Sequence, residues 1–142
     1  MKDIKPQAMT VIELWTKSNL INRKLDATLG SIHGIGFTEY MVLFHLVEAP
    51  NQVLRRIDLA HLLGRSASGI TKMLSPMEKI GLVAKEINPR DARVSLVKTT
   101  ATGNKIFQQA SQTINQTAAQ LLSRIDTTNI TGLLRLLEAI GD

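Results

Sequence analysis

The chain has 142 residues, 44% of them hydrophobic and none of them cysteine, with 17 Lys/Arg against 12 Asp/Glu. That length suits one domain with its own core, and the missing thiols exclude disulfides, zinc–thiolate sites and thiol redox sensing. The opening MKDIKPQAMTVIELW carries charges and a proline where a secretory signal needs an apolar run, and no apolar run approaches the ~20 residues that span a bilayer. The expectation is a soluble, cytoplasmic protein with no membrane partner.

Taken in chain order, residues 8–29 read as a long helix. Val11, Leu14, Trp15, Ser18, Asn22, Leu25 and Leu29 fall at helical spacing, and Ile12 and Ile21 widen the stripe. Gly30, Gly34 and Gly36 break the pattern. Thr38 offers a cap for the next helix, which runs through Tyr40, Leu43, Phe44 and Val47 to Pro50.

A different rhythm follows. Ile57, Leu59, Ala60, Leu62 and Leu63 make a short helix stopped by Gly64. Ser66 then caps a second helix that buries Ile70, Met73, Leu74 and Met77 and closes at Gly81. Two short helices joined by a tight glycine-containing turn are the helix-turn-helix signature. Two β-like runs, Leu82–Ile87 and Val94–Thr99, flank Asn88-Pro89-Arg90-Asp91-Ala92-Arg93, which predicts a hairpin, or wing, with a charged tip.

The last third returns to helix. One stripe runs from Ile106 through Phe107, Ala110, Ile114, Thr117, Ala118 and Leu121 to Ile125. After a break at Asp126-Thr127-Thr128 another runs through Ile130, Leu133, Leu134, Leu137 and Ile140, with Leu136 off the face. The terminal helices carry more apolar surface than one small head covers, and burial at ~25 cal/mol per Å² favours pairing with a second copy. The expected fold is mainly α with a small β-wing. A winged helix-turn-helix at 38–100 is flanked by segments 1–37 and 101–142, which form a helical dimerisation region.

Charge distribution points to a polyanion. Residues 55–98 hold nine basic side chains and four acidic ones, so this block carries the whole net charge of +5. An ordinary solvated basic surface is the alternative. The second helix of the motif exposes Ser66, Ser68, Gly69, Thr71, Lys72, Ser75 and Lys79, with Arg65 just before it. Short hydroxyls, a glycine and lysines let a backbone approach a major groove and bond base edges or phosphates. Free amides at the Ser66 end favour a phosphate. At the wing tip, Arg90 and Arg93 suit a minor groove, with Asp91 holding a guanidinium in place. A surface Asp–Arg pair of little consequence is the alternative there. Double-stranded DNA is the expected partner. Ser75-Pro76 lies inside the recognition helix, where proline removes a backbone bond and tends to kink.

The runs LAHLLGRSASGITKMLSPMEKIGLVAKE and RDARVSLVKTTATG resemble the MarR transcription regulators, the likeness extending from about Thr38 to Gly103. Asp91-Ala92-Arg93 is similar to the family's Asp-x-Arg wing, and Ser66, Ser68, Thr71 and Lys72 fall in its recognition helix. Lys85 departs from it, standing where the family often has arginine and losing bidentate geometry. The resemblance implies a triangular homodimer with interlocked terminal helices and two heads on a pseudo-palindromic operator. It also implies frequent repression relieved by a small aromatic or phenolic ligand. Trp15, His33, Phe37, Tyr40 and Phe44 cluster near the first helix junction, where the family tends to place a pocket; core packing is the alternative for each. No cofactor is expected. His33, His45 and His61 stand in no catalytic spacing, and a His33/His45 metal site lacks a carboxylate, so neither an enzyme nor a metal protein is expected. A winged helix used for protein docking remains the other reading, though it would not need the whole positive excess on the head.

Overall fold

In a computed structural model, which describes residues 3–141, the chain begins with a 28-residue helix, α1 (Pro6–His33). Residues 1, 2 and 142 of the expected dimerisation region lie outside the described residues. Pro6 sits in the first turn, where its missing N–H has no helical partner to lose. The helix does not break at Gly30. It continues to His33 and stops at Gly34, whose φ of 72° is left-handed and whose N–H bonds the Gly30 carbonyl. One glycine costs a helix only ~1 kcal/mol, too little to end a helix that packing holds at the fully buried Leu29.

Helix α2 (Phe37–Glu48) is capped at Gly36, not at Thr38. The Gly36 amide donates to Glu39 Oε1, and the Phe37 amide donates to Asp26 Oδ1 of α1, both at 2.9 Å. Two carboxylates thus meet the positive end of the helix dipole, and no hydroxyl cap is required. After a short 3-10 turn at Pro50–Gln52 comes β1 (Val53–Arg55), a strand the sequence pattern does not announce. Three residues are too few to show an alternation of period two.

Helices α3 (Arg56–Leu62) and α4 (Ala67–Lys79) form the expected helix-turn-helix, with Gly64 at φ 64° in the turn. Strands β2 (Val83–Ile87) and β3 (Ser95–Thr99) form the expected hairpin. β3 lies at the centre of an antiparallel sheet of order β1-β3-β2, with Leu54 opposite Val97 and Lys85 also opposite Val97. Helix α4 runs on through Pro76 to Lys79. The ring faces solvent, so the loss is confined to the Lys72 carbonyl, which has no N–H four residues on.

Helix α5 (Ala101–Leu121) is capped by Thr100 and α6 (Thr127–Glu138) by Asp126, whose side chains accept from Gly103 and Asn129 amides. Ile125, expected on the α5 stripe, falls in the link between them. The core gathers Leu29 of α1, Val42, Leu43 and Leu46 of α2, Leu59 of α3, Ile70, Leu74 and Met77 of α4, and Val97 of β3. It therefore holds α3, α4 and the sheet together. Helix α6 contributes nothing to it and buries none of its own residues. Among the described residues no helix is long and apolar enough to cross a membrane.

Candidate nucleic-acid interface

The exposed face of α4 follows from what its buried face fixes. With Ile70, Leu74 and Met77 locked inside, Ser68, Thr71, Lys72 and Ser75 must point outward, and all four are exposed. Arg65 is exposed in the preceding turn, where its amide bonds the Ala60 carbonyl at 2.8 Å. Ser66 Oγ accepts the Gly69 amide at 3.0 Å and lies 3.2 Å from Ser68 Oγ. A Cβ at Gly69 would come within 3.1 Å of Ser66 Oγ, so glycine keeps the cap compact. Thr71 Oγ1 donates to the Ala67 carbonyl at 3.1 Å, which leaves its lone pairs outward as acceptors.

The hairpin tip is built from two successive side-chain turns. Asn88 Oδ1 accepts the Arg90 amide at 2.9 Å, and Asp91 Oδ1 accepts the Arg93 amide at 3.0 Å. Asp91 also receives the Arg93 guanidinium through both oxygens, at 3.1 and 3.2 Å. These bonds hold the Asp91 carboxyl below the usual carboxylate range. The Arg93 side chain is nevertheless 92% exposed, so it is oriented without being covered. Arg90 is exposed beside it.

Helix α4 and the wing meet across an open groove of about 350 Å³. Ala67 and Thr71 line one side, Arg93, Val94 and Ser95 the other, and Arg55 and Arg56 close it at the β1–α3 junction. Sequence reasoning missed both of these arginines. Their signal was the doublet itself, but without β1 nothing placed it beside the wing. Arg55 is held by Asp58 in a two-pronged pair, Nε to Oδ2 at 2.8 Å and Nη2 to Oδ1 at 3.0 Å. Arg56 Nη2 donates to Glu78 Oε1 at the far end of α4, and Arg56 Nε is buried without a partner among the described residues.

The five residues considered for a small ligand are not brought into one place. Phe37 stacks on Tyr40 with centroids 6.1 Å apart, Tyr40 on Phe107 at 5.2 Å, and Phe44 tilts against Phe107 at 6.4 Å. Phe107, on α5, was not among the candidates. Tyr40 Oη bonds Ser111 Oγ at 2.8 Å, and His33 Nε2 bonds Thr113 Oγ1 at 2.7 Å, so both polar tips already have partners on α5. Trp15 is 69% exposed and lies about 27 Å from His33 along the same helix, at 1.5 Å per residue.

A second, apolar groove of about 590 Å³ runs along α1 beside α5 and α6, lined by Leu14, Ile21, Leu122, Ile125, Leu133 and Leu137 among others. Val11, Trp15, Leu134 and Leu136 are exposed on these same terminal helices.

Comparison with known proteins agrees with this arrangement. The MarR family model matches residues 37–95, the stretch from α2 into β3. No curated protein matches the chain. Among solved structures, Sco3205 from Streptomyces coelicolor, a MarR family transcriptional regulator solved in complex with DNA, is 21% identical with a TM-score of 0.82. The alignment covers 94% of this chain and 85% of that one. BldR, a transcriptional regulator from Sulfolobus solfataricus, is 19% identical with a TM-score of 0.84, over 99% of this chain and 100% of that one. Wild-type MarR from E. coli in its apo form is 25% identical with a TM-score of 0.78, over 96% of each chain. Residues 37–95 match the MarR family model, and the chain that carries them has the fold of MarR-family transcriptional regulators.

Proposed function

We propose that the protein is a homodimeric regulator of transcription, most simply a repressor, that reads a pseudo-palindromic operator in double-stranded DNA. The observation that carries this reading is the groove flanked by Thr71 of α4 and Arg93 of the wing. It sets Thr71, on the exposed polar face of α4, beside an exposed arginine, within the block that holds the net positive charge. Arg65, Ser66, Ser68, Gly69, Thr71, Lys72 and Ser75 address the major groove, and Arg90, Asp91 and Arg93 the adjoining minor groove. The DNA complex of Sco3205, a protein of the same fold, supports the same reading.

Dimerisation by segments 1–37 and 101–142 is supported by α6, none of whose residues is fully buried within its own chain, and by the apolar groove beside it. A small aromatic or phenolic ligand would release DNA by favouring a head spacing that mismatches the operator. Packing of Phe37, Tyr40 and Phe44 at the joint between α2 and α5 is the feature such a ligand would have to perturb.

Selection of bound sequences from random duplex DNA tests the central claim. Recovery of two inverted half-sites about one helical turn apart is expected. Affinity that does not fall as salt rises would overturn it, because neutralising phosphates releases counterions. Sedimentation of the free protein tests the dimer, a monomer at micromolar concentration being the contrary result. Thermal shift and operator release with a panel of aromatic acids test the ligand.

A further inference from the structure

A helix in a major groove and a wing in the neighbouring minor groove must have a sugar–phosphate strand between them, since the backbone is what divides the two grooves. Here the space between those elements is the 350 Å³ groove, and its walls carry Arg55, Arg56, Arg93 and Ser95. Arg55 and Arg56 belong neither to the recognition helix nor to the wing. They arrive from the end of β1 and the first residue of α3.

We propose that this groove seats phosphates of the strand running between the two DNA grooves, with Arg55 as the principal phosphate-binding cation. The inference rests on the DNA-reading assignment of α4 and the wing. Three features support it. Arg55 is aimed by its two bonds to Asp58, which fix the guanidinium without covering it, its side chain staying 56% exposed. Arg56 contributes a second guanidinium whose Nε lacks an acceptor, and a buried donor left unpaired is costly until an acceptor or a small shift satisfies it.

Local charge balance is the third feature, and it selects the ligand. The three arginines are matched by Asp58, Glu78 and Asp91, so a free anion in water meets a nearly neutral site and gains little. A phosphate within a duplex is different. Contacts in the two adjoining grooves deliver it at high effective concentration, and its binding releases counterions.

The experiment measures duplex affinity by fluorescence anisotropy across a salt series, using the full chain and both its selected site and a random duplex. Arg55→Gln is expected to weaken binding to both duplexes by the same factor and to reduce the slope of log affinity against log salt by about one phosphate's worth. Arg55→Lys should keep the slope while binding less tightly, because the charge remains and the fork is lost. Single methylphosphonate replacements should then locate one phosphate whose neutralisation weakens the wild type and leaves Arg55→Gln unaffected. An unchanged slope in a folded Arg55→Gln overturns the groove's role alone, as does equal slope loss in Arg55→Lys. A wild type whose duplex binding ignores salt overturns the DNA reading and the groove's role together.

Discussion

Arg56 and Glu78, 22 residues apart, join the first turn of α3 to the last turn of α4 through a guanidinium–carboxylate contact. Their side chains are only 15% and 22% exposed, so the pair is shielded on most sides. It braces the angle between the two helices at the end away from the Gly64 turn. Removing one member leaves the other partly desolvated and unpaired. Glu78→Ala should therefore cost about 2–3 kcal/mol in urea unfolding. Arg56→Ala/Glu78→Ala should cost clearly less than the two single losses added. Strict additivity would mean that the pair does not act as a unit.

Gly103 makes the opposite exchange from an ordinary helical glycine. Replacing a mid-helix glycine by alanine usually gains ~1 kcal/mol. A Cβ at Gly103, however, would stand 2.2 Å from the Leu82 carbonyl oxygen and 2.6 Å from Thr99 Oγ1. Gly103→Ala is expected to destabilise by about 2 kcal/mol or more, because backbone must move to admit it. A melting temperature at or above the wild-type value would contradict that contact.

Pro76 sits in the interior of α4 and is exposed to solvent. Pro76→Ala restores an N–H for the Lys72 carbonyl and removes a helix-interior proline. It also frees the unfolded chain, so the gain should be about 1–2 kcal/mol rather than the full ~3. Equilibrium unfolding checks this, and a destabilised variant would show that the ring packs on something.

Wing variants should separate orientation from charge. Arg93→Ala should weaken operator binding by about tenfold or more with stability unchanged. Asp91→Asn keeps an oxygen for the Arg93 amide and loses only the ionic part of the grip on the guanidinium. Its loss should be smaller than that of Asp91→Ala, which removes the turn as well. Anisotropy titrations with the selected operator give the ranking, and equal losses would deny Asp91 an orienting role.

His45 gives the stability a pH dependence of known sign. Burial lowers its pKa in the folded chain, from an ordinary value of about 6.5. Above that value the ring is neutral in both states and the contribution is complete. As pH falls below it, the unfolded chain binds the proton first, and stability declines until the folded ring also protonates. His45→Gln should flatten this part of a melting-temperature profile. An unaltered profile would assign the effect elsewhere.

Much of the fold was legible because its signals are local. Ser66, Gly64 and the Ile70/Leu74/Met77 spacing define α4 within fourteen residues, and Asn88 and Asp91 turn the hairpin through their own side chains. What escaped was settled by distant partners. Asp26, on α1, helps to start α2 where Thr38 looked sufficient. β1 exists because β3 offers it an edge, and Arg55 and Arg56 reach the interface only through that pairing. Phe107 joined the aromatic cluster from α5, 67 residues beyond Tyr40 in the sequence. Apolar spacing on the terminal helices placed their stripes but could not say which part remains open, and α6 buries none of its residues.

Pairing of Val53 with Lys98 closes a loop around everything that faces the groove. Helices α3 and α4, strand β2 and the hairpin tip all lie between those two residues, so none of them is an independent folding unit. Closing so long a loop must precede the reward of its contacts, which makes the head slow to assemble and cooperative in opening. Amide exchange should accordingly release α4 and β3 together, as one protected unit. A three-residue strand thereby becomes the latch of the reading head. Loosening it by a substitution at Leu54 would unfasten α4 and the hairpin tip, which lie far along the chain from it.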